Sequence, residues 1–131
     1  MISELSGTTE NLVRAVLDAS LLRYKIISNN IANNDVRGFK PSNVNFEDIL
    51  NAELNSKEAI NNNQRIESAL TSVRPEIVER ESSVIDGKPE NTLDLEMSDL
   101  AKNTLRYEAL IKSLENLGSI KTMAITGRAG K

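Results

Sequence analysis

The 131-residue sequence has no cysteine, no histidine and no tryptophan. Those absences remove disulfides, thiolate nucleophiles, imidazole acid–base chemistry and almost every zinc or copper site at once. Its aromatic residues are Tyr24, Phe39, Phe46 and Tyr107, too few to build stacking platforms for bases. No Gly-rich phosphate loop is present, and no apolar run reaches the length of a signal peptide or a membrane span. The stretch from Met1 to Leu12 carries Glu4 and Glu10 but no basic residue, so the chain is expected to be cytoplasmic or to leave the cell by a route that cleaves nothing. With 16 basic and 19 acidic side chains the net charge is -3, which argues against nucleic acid or an anionic membrane as partner, because counterion release needs a basic face. Catalysis would have to rest on Asp, Glu, Lys, Ser, Thr and Tyr. These form no convergent acid–base constellation, so the expectation is a protein that is not an enzyme, with no cofactor, no metal and no small-molecule substrate.

What is present is helical periodicity at the two ends. Val13, Leu17, Ser20, Tyr24, Ile27 and Ile31 step by four and three, a heptad row with one polar interruption, and Leu12, Val16, Ala19 and Ile26 lie beside it. The polar strip narrows to Asn11, Arg14, Asp18, Lys25 and Asn29. An apolar arc this wide calls for at least two packing neighbours, one from the chain and the other expected from a second subunit. Towards the other end, Leu93, Met97, Leu100, Thr104, Tyr107, Ile111 and Leu114 alternate steps of four and three, which predicts a coiled-coil seam. Acidic Asp94, Glu96 and Asp99 near its start and basic Lys121 and Arg128 near its end suit the helix dipole. Gly118 takes the next seam position, and reads either as a close backbone approach or as a bend.

The fold class expected is mainly α. An elongated, coiled-coil-like pair of long terminal helices, over 1–36 and 92–131, should flank a small, irregular, partly β middle segment over 37–91. Within that middle, Phe46, Ile49, Leu50 and Leu54 predict a short helix between Ser42 and Asn55, with Asn45 as its cap. Residues 55–72 are Asn- and Gln-rich and read as a loop or a weakly held segment, and Glu76 to Ile85 reads as one or two strands. Glu79, Arg80 and Glu81 read as a solvated charge run, and Tyr24 and Tyr107 as packing residues with a polar tip.

Between the first helix and the middle stands Ser28-Asn29-Asn30-Ile31-Ala32-Asn33-Asn34-Asp35-Val36-Arg37-Gly38-Phe39-Lys40. On local chemistry it is a helix stop: Asn and Asp tolerate the left-handed conformation and Gly38 adopts it freely. The sub-pattern Asn30-Ile31-Ala32-Asn33 followed by Gly38-Phe39-Lys40 resembles the N-terminal signature of the flagellar rod, hook and hook-associated axial proteins. Val36 and Arg37 stand where that family usually has Thr and Pro. Asp86-Gly87, Asn91-Thr92-Leu93-Asp94-Leu95-Glu96 and Leu100-Ala101-Lys102-Asn103-Thr104-Leu105-Arg106-Tyr107 are similar to the C-terminal region of the proximal rod members.

The resemblance implies a structural rod subunit, exported unfolded by the flagellar type III apparatus without a cleaved signal, in the periplasmic rod of the basal body. It implies a helical axle that transmits torque, with partners among copies of itself, the rod proteins FlgC and FliE, and export-gate or membrane-ring components. The residues expected to matter are an assembly turn of Asn30, Ala32, Asn33, Gly38, Phe39 and Lys40, and a helix-packing interface of Val13, Leu17, Tyr24, Ile27, Ile31, Leu93, Met97, Leu100, Tyr107, Ile111 and Leu114. A helical adaptor or export chaperone, holding a client on the same apolar faces, is the alternative.

Overall fold

The computed structural model describes residues 2–56, 61–81, 84–85, 88–89 and 92–127. Asp86, Gly87, Asn91 and Arg128 of the motifs above, and residues 57–60 of the expected loop, lie outside these.

Two long helices dominate, α1 over Ile2–Ala32 and α4 over Thr92–Thr126. At ~1.5 Å per residue they are roughly 46 and 52 Å long. They pair antiparallel: Ser20 bonds to Asn103, and ten residues further along α1, Asn30 bonds back to Glu96. Between them run β1 (Ser42–Asn45), α2 (Glu47–Ser56), α3 (Asn62–Ser72), β2 (Glu76–Glu79), β3 (Val84–Ile85) and β4 (Lys88–Pro89). β1 and β2 form a two-stranded antiparallel sheet in the register Ser42 to Glu79 and Val44 to Ile77, and β3 pairs with β4.

The middle segment departs from the sequence expectation in two places. Ser42 to Asn45 is a strand and the short helix begins at Glu47, so Asn45 ends β1 and is not the cap; alternation buries Val44 while leaving Asn43 exposed. The stretch read as a loop contains α3. Asn61 caps it by accepting a hydrogen bond from the Gln64 amide at 2.9 Å, and Pro75 follows soon after its end. Its apolar anchors are few, but Ile66, Ala69, Leu70 and Val73 share one face, and docking of that face stabilises a helix whose own composition is polar.

The core lies on one side of the helix pair, where Ala19, Phe46, Leu50, Ala69 and Val73 are buried together. Leu12, Ala15, Val16, Ile49, Leu54 and Leu70 pack around them. Ala19 and Ala69 are both fully buried, and side chains this small let α1 and α3 approach closely. The second neighbour that α1 needs is therefore supplied largely by its own chain through α2 and α3, where the sequence pointed to another subunit. Asn11 donates to Glu67 at 3.0 Å and Ser72 to Glu53 at 3.3 Å, tying α3 to α1 and α2 at the rim.

Candidate functional site

The turn after α1 is a run of short-range backbone bonds. The amides of Asn33, Asn34, Val36 and Phe39 donate to the carbonyls of Asn29, Ile31, Asn33 and Val36. The Asn33 side chain adds a second donor to the same Asn29 carbonyl at 2.8 Å, which reinforces the end of the helix. Gly38 has φ +82°, and a Cβ there would meet open space, so glycine is required by backbone conformation and not by crowding. Ala32, Gly38 and Lys40 are exposed and Phe39 is half-buried.

Asn30 is 3 % exposed and fixes where the chain goes after the turn. Its Nδ2 donates to the Ser42 carbonyl at 2.8 Å and its Oδ1 accepts from the Ser42 amide at 3.1 Å. The amide thus grips β1 as a neighbouring strand would. Its second N–H reaches Glu96 Oε1 on α4 at 3.3 Å, which completes the donors and acceptor of the side chain. Arg80, just beyond β2, forms an ion pair with the same carboxylate through Nη2, and its backbone amide bonds to the Pro41 carbonyl at 2.8 Å. One junction therefore joins α1, β1, the end of β2 and α4. Glu96 Oε2 and Arg80 Nε are buried and have no hydrogen-bond partner among the described residues.

Two sequence expectations change here. Glu96, read as dipole-favourable surface charge, is 1 % exposed, and Arg80, read as solvated, is half-buried against it. The buried row of α4 also differs from the apolar row. Glu96, Leu100, Asn103, Tyr107, Leu110, Leu114 and Leu117 are buried or half-buried, whereas Leu93, Met97 and Thr104 of the expected seam are exposed, Met97 by 53 %. Over its first turns the seam is thus shifted by one residue, because polar partners on α1 and Arg80 draw Glu96 and Asn103 inward. On α1, Leu17 and Ile27 are buried, Val13 and Ile31 half-buried and Tyr24 half-exposed; on α4, Ile111 is half-buried. The polar interruption at Ser20 was the one signal in sequence: Ser20 Oγ donates to Asn103 Oδ1 at 3.0 Å, and Asn103 Nδ2 donates to the Ser20 carbonyl at 3.0 Å.

The flanks of the pair are unlike. On the side of β1 and α2, Arg23 donates to Glu47 at 2.7 Å and reaches the Val44 carbonyl at 3.4 Å. Partial burial works to raise the Glu47 carboxyl, but hydrogen bonding to Arg23 and to its own backbone amide, with the charges of Arg23 and Arg106, leaves it below its ordinary value. On the opposite flank Leu21, Tyr24, Thr104 and Tyr107 line an apolar groove of about 230 Å³ with Ser20 and Asn103 at its floor. Leu93, Met97 and Leu105 are exposed on α4, and so is every residue from Gly118 to Gly127. Gly118 lies within an unbroken helix with open space at its Cβ position, so no close approach by the described residues accounts for it.

A paired-helix frame with one flank covered by its own middle segment and the other left open by the described residues defines a helical protein with an uncovered apolar side. Comparison with known proteins gives that class its particulars. Residues 17–40, from the middle of α1 through the turn, match the family described as flagella basal body rod protein. Over 130 residues, 97 % of this chain and all of the relative, the chain is 32 % identical to the flagellar basal body rod protein FlgB of Bacillus subtilis (strain 168). No solved structure matches it. The chain belongs to the flagellar basal-body rod protein family.

Proposed function

We propose that this chain is a structural subunit of the proximal rod, built into the axle by side-by-side packing of its helix pair against neighbouring subunits, and that the resulting assembly transmits torque. The observation that carries the reading is the bare apolar flank: Leu21, Tyr24, Thr104 and Tyr107 form a groove of about 230 Å³ suited to apolar side chains from another helix. Further exposed apolar residues continue along α4 at Leu93, Met97, Leu105, Ile120, Met123 and Ile125. Neighbours in the rod are further copies, FlgC, FliE, and export-gate or membrane-ring components. The protein travels unfolded through the type III apparatus with no cleaved signal and folds in the periplasmic rod. The work is mechanical, with no catalysis and no cofactor.

The assembly turn sets the angle at which β1 and the middle segment leave the helix pair, through the left-handed Gly38 and the grip of Asn30 on Ser42. The test is incorporation. The chain should copurify with detergent-extracted basal bodies, and Leu21→Glu combined with Tyr24→Glu should leave the isolated fold intact while removing it from them. Normal incorporation of that variant overturns the use of this flank. Absence of the parent protein from basal bodies overturns the rod reading itself.

A further inference from the structure

The contact between α1 and α4 is unusual in what it buries. Ser20, Asn30, Glu96 and Asn103 are all 4 % exposed or less, and each is bonded across the helix pair. Such groups stabilise little compared with leucine at the same place, since each has been withdrawn from water and merely re-paired. Their effect is on alternatives. Apolar residues line both helices along much of their length, so sliding one against the other by a heptad would still bury hydrocarbon.

We infer that the buried pairs Ser20–Asn103 and Asn30–Glu96 select one register of α1 on α4 against its heptad-shifted competitors. In the observed register a residue of α1 and its partner on α4 have numbers summing to 123 at Ser20 and 126 at Asn30. A slide of one heptad in one direction carries Asn103 into the place of Glu96 beside Asn30, but leaves Ser20 level with Leu110 and takes Glu96 past the end of α1 at Ala32. In the other direction Glu96 takes the place of Asn103 beside Ser20, but Asn103 comes level with Val13, and Asn30 is opposite residues before the start of α4 at Thr92. Each slide thus keeps one polar contact and breaks the rest, and only the observed register pairs all four groups, whereas an all-apolar contact would tolerate both slides. The selection belongs to the chain's own fold and does not depend on the rod reading.

The chain has no cysteine, so spin labels can be placed at will. Lys25→Cys and Glu115→Cys are both exposed and lie at different levels along the pair, so their separation responds to sliding. In the labelled full chain the distance distribution should have one peak. In S20A/N103L, and in S20A/N103A, which adds no volume, a second population should appear, displaced by up to about 10 Å, the length of a heptad. The exchange variant S20N/N103S, which keeps a hydroxyl–amide pair with its ends reversed, should restore the single peak. A single peak at the parental distance in both apolar variants overturns the inference, as does a split distribution in the parent or in the exchange variant. Loss of folding in both apolar variants overturns it too, because the pair would then be carrying stability and not choosing between registers.

Discussion

On one flank of the α1–α4 pair, Phe46, Leu50, Ala69 and Val73 close over Leu12, Ala15, Val16 and Ala19; on the other, Leu21, Tyr24, Thr104 and Tyr107 surround a groove left open by the described residues. Both flanks carry apolar side chains at helical spacing. What differs is the partner. The covered flank is completed by short elements that the chain folds back onto α1, and none of the described residues covers the other. A helix's apolar arc measures how much surface needs cover, and says nothing of whether the cover is intramolecular.

The contrast can be broken most sharply at Phe46, which is 2 % exposed. Phe46→Ala should cost about 3–5 kcal/mol in urea denaturation, through lost transfer energy and a cavity. Tyr24→Ala, half-exposed on the bare flank, should change the stability of the isolated chain by less than about 1 kcal/mol. Comparable losses at both sites would show that the bare flank is already packed in the monomer.

At the junction between the flanks, Glu96→Ala should cost about 3 kcal/mol, the low end for breaking a buried ion pair because Arg80 keeps some contact with water. The same variant should release the middle segment, seen as faster amide exchange at Arg80 and Ser42 than in Phe39→Ala. Gly38→Val, at φ +82°, should cost roughly 1–2 kcal/mol from left-handed strain alone and should impair motility by more than that loss explains. Full motility would remove the turn from the assembly argument.

The Arg23–Glu47 pair gives a smaller, pH-dependent effect. The folded Glu47 carboxyl lies below its ordinary 4.5, so the pair's contribution is complete above that value and is lost as pH falls through the folded value. Half of the Glu47 side chain is exposed, which keeps the contribution under about 1 kcal/mol. Comparing the acid limb of stability in the parent and in Glu47→Gln checks both sign and size. Smallest is Gly118→Ala on the exposed last third of α4, which should stabilise the isolated helix by about 0.5–1 kcal/mol. If the same change blocks incorporation into basal bodies, close approach by a neighbouring subunit is the reason for the glycine.

Local pattern alone determined the two long helices, a stop within the run from Ser28 to Lys40 and the need for a left-handed residue at Gly38, because periodicity and backbone preference act within a few residues; the helix ends at Ala32, four residues before the expected bound. It also determined the two-neighbour demand of α1. Tertiary structure decided the rest. α3 forms because Ala69 and Val73 find α1 and α2, not because Asn62-Asn63-Gln64 favour a helix. β1 exists because β2 and the amide of Asn30 pair with it across the fold. The seam of α4 shifts onto Glu96 and Asn103 because their partners, Arg80, Asn30 and Ser20, are distant in sequence. Hydrophobicity counts the groups that must leave water, but which polar groups can accompany them depends on hydrogen-bond partners that only the folded chain brings within reach.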